Sequence, residues 1–190
     1  MFWKSFLKIR KLKKIGQKLQ FFFTYWFAAN TFNENKENCP FCQESVINLQ
    51  SVHRSQKIIA FYALTPTEKG NLLIVPERHV TRFELLNNEE IIEIRNLIQD
   101  SAKAFKQLWN IEDYLIIQKN GFGAGQSEAH IHFHIIPCRQ HPMKILYRAF
   151  HRREEIDTIE MTKRVKELRH YFKNKKKVFN DNTISKLEIS

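Results

Sequence analysis

The chain has 190 residues with an apolar fraction of 43%, enough to build the core of one domain carrying extensions. Its net charge of +11 sits at the ends: residues 1–33 hold seven Lys or Arg and no acid, residues 34–150 hold thirteen of each sign, and residues 151–190 hold eleven basic against seven acidic. A neutral centre excludes a basic nucleic-acid platform, so no nucleic-acid partner is expected, and three cysteines are too few for a disulfide framework.

Apolar residues at Phe2, Phe6, Ile9, Leu12, Ile15, Leu19, Phe22, Phe23, Trp26 and Phe27 recur every three or four positions. This spacing predicts a basic amphipathic N-terminal helix within residues 1–33. Its longest uninterrupted apolar stretch, "FFFTYWFAA", is far shorter than the roughly twenty residues of a spanning helix. The basic stretch ahead of it is too long for an ordinary secretory peptide, and lysine rather than arginine dominates, against an organellar one. Residues 1–29 are therefore expected to lie in an anionic membrane surface, making a cytoplasmic protein peripheral to the membrane. The competing expectation is that the stripe packs on the protein itself or on a partner chain. The polar run "TFNENKEN" follows, and the composition changes near Asn38.

From there to residue 150 the pattern reads strand, strand, helix, strand, strand. "KIIAFYAL" (57–64) is a strand that stops at Thr65 and Pro66, and "NLLIVP" (71–76) is another. Asn87 or Asn88 caps a long helix with Ile91, Ile94, Leu97, Ile98, Ala102, Phe105 and Leu108 on its apolar face. "DYLIIQ" (113–118) and "AHIHFHII" (129–136) are the later strands, joined by the glycine-rich "KNGFGAGQSE". A basic helix at 154–173 is expected within the extension formed by residues 151–190. Strands adjacent in sequence around one long helix predict an α+β fold, an antiparallel sheet with that helix packed on it.

Alternation along "AHIHFHIIP" puts His130, His132 and His134 on one face and Ile131, Phe133 and Ile135 on the other. The apolar face suits a core, whereas three imidazoles in a row suit chemistry. Gly121, Gly123 and Gly125 just ahead of them let the backbone approach a ligand closely, so that N–H groups can meet phosphate oxygens. A neutral imidazole can attack phosphorus, and a neighbouring hydroxyl can pass a proton to the leaving group.

"HIHFHII" resembles the His-φ-His-φ-His-φ-φ signature of the histidine-triad (HIT) superfamily of nucleotide hydrolases and transferases, and "NGFGAGQSEAHIHFHIIP" resembles the stretch containing it. "GNLLIVPERHV" is similar to an earlier strand of that family and "CPFC" to its N-terminal metal half-site, so the resemblance spans about residues 38–142. It implies a HIT-like sheet, a homodimer, and a nucleoside phosphoramidase or dinucleoside polyphosphate hydrolase. It also implies His132 as nucleophile, Ser127 near the leaving group, and Asn120, Gln126 and His134 on the phosphate, with Asn71 standing where many relatives have a histidine. Ala63 stands where many have a carboxylate for the ribose. These two departures leave a rival reading, a catalytically weakened nucleotide-binding or interaction module.

Cys39, Cys42, His79 and His130 supply two thiolates and two imidazoles, a set suited to tetrahedral zinc. With 36 residues between Cys42 and His79 and 50 between His79 and His130, this is no zinc-finger spacing. It resembles the site of zinc-containing members of the superfamily, which makes structural zinc the expected cofactor. The bland alternative is a pair of unligated thiols and a solvated histidine.

Overall fold

Among the described residues the apolar runs form a five-stranded antiparallel sheet in the order β1-β2-β3-β5-β4. The strands are β1 (Ser51–Arg54), β2 (Ile58–Tyr62), β3 (Leu72–Pro76), β4 (Tyr114–Gln118) and β5 (Phe133–Pro137). The helices are α1 (Glu44–Gln50), α2 (Asn88–Trp109) and α3 (Thr158–Leu187). The structure, a computed structural model, describes residues 35–139, 141, 143–145, 147 and 156–187, with the side chains of α3 described up to Lys175. The helix expected within 1–33 lies outside the described residues. No described helix is long and apolar enough to cross a membrane.

Alternation decides what each face of the sheet meets. Ile58, Ala60, Tyr62, Leu72, Ile74, Phe133 and Ile135 pack with Ile94, Leu97, Ala104 and Phe105 of α2. On the opposite face Ile59, Phe61 and Val75 meet Ile47 of α1. Strand β2 is buried along its whole length, which explains why its sequence is apolar throughout instead of alternating. The start of α2 is a capping box, in which the Asn87 side chain accepts from the Glu90 N–H and the Glu90 carboxylate accepts from the Asn87 N–H, both at 2.9 Å. Arg78 grips the same carboxylate at 2.9 Å and ties the helix to the segment after β3. Gly70, at φ +97°, passes so close to Trp109 that an added Cβ would stand 2.5 Å from the indole.

Two parts of the chain go beyond the expected pattern. Helix α1 and strand β1 are seven and four residues long, and β1 carries a register shift between Ser51 and His53. Elements that short, one of them bulged, leave no readable period. The second is α3, expected over 154–173 and found at Thr158–Leu187. Met161, Val165, Leu168 and Phe172 enter the same core as α2, so the sheet face carries two helices rather than one. The Arg169 guanidinium donates to the Asn48 and Ser51 carbonyls, each at 2.7 Å, closing the C-terminus of α1. Leu168 is fully buried, and Leu168→Ala is expected to destabilise the fold by about 2–5 kcal/mol in urea denaturation.

Candidate active site and metal centre

The ladder of β5 begins at Phe133, later than the alternation predicts. Ahead of it the Ile131 N–H donates to the Val80 carbonyl at 2.6 Å instead of joining the sheet. That bond carries His130 toward the segment after β3, and its ring lies 5.0 Å from that of His79. From the N-terminal side, the short helical turn Pro40–Cys42 brings both thiols to the same place. Cys39 Sγ is 3.3 Å from His130 Nδ1, and Cys42 Sγ is 3.5 Å from it and 3.4 Å from His79 Nδ1. All four ligand atoms fall within 4.8 Å of one another. A tetrahedral zinc with bonds of about 2.0–2.3 Å needs its ligand atoms roughly 3.3–3.8 Å apart, which the three separations of 3.3, 3.4 and 3.5 Å meet, so the donors fit the ion in number and type.

The hydrogen bonds agree with that fit. His130 Nε2 is 3.0 Å from the Pro76 carbonyl. A carbonyl only accepts, so Nε2 carries the proton and Nδ1 turns its lone pair toward the thiols. Burial, and then the charge on His79, hold the His130 imidazole down at about 4, so it is neutral and able to ligate. Burial, and then the Cys42 thiol, push Cys39 up to about 12. A divalent cation at this point would reverse that and hold the sulfur as thiolate.

The same logic applies one step along the chain. His132 Nδ1 lies 2.8 Å from the His130 carbonyl and must be the donor, which leaves the lone pair of the neutral ring on Nε2. Its ring is 5% exposed rather than open, with Phe41 at 5.4 Å and His134 at 5.1 Å between ring centroids. Phe41 sits between the two metal-site cysteines and also packs on Phe61 at 5.6 Å. The turn that carries the thiols is thus also a wall against the His132 ring.

His132 and His134 line a cleft of about 340 Å³, at the small end of ligand pockets. The loop between β4 and β5 adds Lys119, Gly125, Ser127 and Glu128, and the opposite lining is apolar, with Phe41, Val46, Ala63 and Leu73. Of the residues the sequence marks for substrate, the cleft therefore gathers His132, His134 and Ser127. Gln126 is 1% exposed and holds the loop from within. Its Oε1 accepts from the Gly121 N–H at 2.6 Å, and its Nε2 donates to the carbonyls of Glu128 at 2.7 Å and Thr81 at 3.1 Å. Asn120 points the other way, accepting from the Phe83 N–H and donating to Glu84, both at 2.9 Å. Asn71 is fully buried and donates to the Leu72 carbonyl at 2.9 Å. These three position backbone rather than face the cleft. Phe41, Lys119 and Glu128 are among the lining residues that sequence reasoning passed over. Lys119 lies just past the end of β4, where strand alternation no longer gives a signal.

The profile of the HIT domain matches residues 44–141. The adenosine 5'-monophosphoramidase hnt1 of Schizosaccharomyces pombe is 32% identical over 102 residues, 53% of this chain and 74% of its own length. The bis(5'-adenosyl)-triphosphatase of Dictyostelium discoideum is 30% identical over 125 residues, 63% of this chain and 84% of its own. A Zn-bound histidine triad family protein from Mycobacterium smegmatis superposes with a TM-score of 0.60 at 19% identity, covering 76% of this chain and 99% of that one. At such identity the likeness is one of fold. The chain belongs to the HIT domain family, whose members similar to it include nucleotide hydrolases.

Proposed function

We propose that the protein hydrolyses a nucleotide at its α-phosphorus through a covalent nucleotidyl-His132 intermediate. The observation that carries this reading is the 2.8 Å bond from His132 Nδ1 to the His130 carbonyl, which fixes the tautomer whose Nε2 is nucleophilic. Nε2 forms an N–P bond as the bond from phosphorus to the leaving group breaks, and the leaving group takes that electron pair. The ring becomes a cation, which the same carbonyl stabilises. Water then attacks phosphorus and loses a proton to solvent, the N–P bond breaks, and its electrons return to Nε2. Ser127 in the cleft lining is placed to pass a proton to a leaving group that needs one. The apolar wall formed by Phe41, Val46 and Leu73 suits a base.

Cys39, Cys42, His79 and His130 would hold zinc as a structural ion, its tetrahedron completed by protein ligands. Strand β4 forms one edge of the sheet and exposes Tyr114 and Ile116, which supports a homodimer joined at that edge. The test of the reaction is mass spectrometry of the full-length protein mixed with adenosine phosphoramidate or a dinucleoside polyphosphate. A nucleotidyl adduct on His132 is expected. Ala63 in the cleft and the inward bond of Asn71 favour a second reading, a nucleotide-binding module with little turnover. That module would bind nucleotide without labelling His132.

Residues 1–29 supply the membrane half of the proposal, on the strength of their uniform positive charge and aromatic stripe. The full-length chain is expected to float with anionic liposomes and a 34–190 chain to stay behind. Equal flotation of the two would overturn membrane binding by this segment.

A further inference from the structure

Lys119 brings a cation to a cleft wall that the reaction described so far does not use. Strands β4 and β5 are antiparallel, with Ile117 opposite His134 and Gln118 opposite Phe133. The ladder ends there, and Lys119, the residue directly after β4, lines the cleft together with Ile117, His132 and His134. Its side chain runs over Gly125: a Cβ built on that glycine would lie 3.7 Å from Lys119 Cδ and 3.8 Å from Nζ. Gly125 stands at φ +81° and carries no side chain, so the ammonium rests close on the loop two residues before Ser127. Asn120, the neighbouring polar residue, is turned away to Phe83 and Glu84. Among the described residues that line the cleft, Lys119 is the only Lys or Arg.

We propose that Lys119 selects substrates whose leaving group is itself a phosphate, namely nucleoside and dinucleoside polyphosphates, over nucleotide phosphoramidates. The proposal rests on the nucleotidyl-His132 reading. When Nε2 attacks a polyphosphate, the bond from the α-phosphorus to the bridging oxygen breaks and its electron pair leaves on the outgoing phosphate. Negative charge thus grows beyond the scissile bond, on the Ser127 side, where the ammonium lies. A preorganised cation there stabilises the transition state more than the ground state. A phosphoramidate behaves otherwise, because its nitrogen departs as a neutral amine after taking a proton. Ser127 serves that substrate, and Lys119 offers it nothing. Glu128 lines the same wall and opposes an incoming phosphate, so its removal acts in the reverse sense to removal of Lys119.

The test compares kcat of the full-length protein on diadenosine triphosphate and on adenosine phosphoramidate. Lys119→Met is expected to lower kcat for the polyphosphate by about 10- to 100-fold, the range of a lost charge-assisted hydrogen bond, and to leave the phosphoramidate little changed. Lys119→Arg restores most of the loss, Ser127→Ala gives the opposite substrate pattern, and Glu128→Gln raises the polyphosphate rate. Thermal melting of each variant checks its fold. A wild type that hydrolyses both substrates, with Lys119→Met lowering both alike or neither, overturns the role of Lys119 and leaves His132 in place. A wild type that hydrolyses neither and forms no adduct overturns both.

Discussion

His132→Ala is expected to lower turnover by about four orders of magnitude or more while the protein stays folded, since the residual rate after loss of a nucleophile comes from binding and electrostatics alone. The effect is large because the covalent step is removed, not slowed. No neighbouring group can take its place. His130 is fully buried, with Nε2 on the Pro76 carbonyl and Nδ1 facing the thiols. His134 lines the same cleft two positions along the chain, its ring in edge contact with His132 at 5.1 Å between centroids, and is not placed where His132 stands. Truncation leaves a small void beside Phe41 at the edge of the cleft, so melting should fall by only a few degrees. Steady-state hydrolysis, an adduct search and a thermal melt on the same sample separate the outcomes. Near-native turnover in His132→Ala would remove the covalent mechanism.

Purified protein prepared without chelator is expected to hold about one zinc per chain, and Cys39→Ser to lower both the metal content and the melting temperature. The four ligands join three segments far apart in sequence: the 39–42 turn, the stretch after β3, and the stretch before β5. Without an ion, two thiols and two imidazoles would face one another in a buried site with only weak hydrogen bonds among them. A loss of several kcal/mol corresponds to a fall of about 10 °C for a chain of this size. A second readout follows from Phe41, which the turn presses against His132. Loosening that wall should raise KM in Cys39→Ser more than it lowers kcat. Elemental analysis showing no zinc would end the metal reading and leave the nucleophile untouched.

Much of this site was legible from local pattern. Alternation around "HIHFHII" marked a strand, of which the sheet keeps only the part from Phe133 onward, while His132 and His134 line one cleft and His130 turns to the thiols. A cap at Asn87 or Asn88 marked the start of α2 to within a residue, and the structure settles it as Asn87 through the capping box with Glu90. Each of these is a relation between residues close in the chain, which geometry of one or two turns or strands determines. The side chains of Asn71, Asn120 and Gln126 were legible as polar residues near phosphate but not as to where they point. Their partners, at Leu72, Phe83, Glu84, Thr81 and Glu128, are mostly set by how the loops fold back on one another.

The sequence by itself determined the sheet and its long helix through local period, and offered Cys39, Cys42, His79 and His130 as a candidate metal set through residue chemistry, whereas His132 as nucleophile is what the family resemblance implied. Only the tertiary structure decided that those four side chains meet, across gaps of 36 and 50 residues, since that convergence depends on the bond from Ile131 to Val80 and on the 39–42 turn. It also decided that α3 closes the core and that Lys119, not Asn120, lines the cleft with His132. The physical reason is the same throughout. A chain encodes which face a residue takes through its nearest neighbours, but what stands opposite that face is set by strand register and by segments arriving from far along the chain.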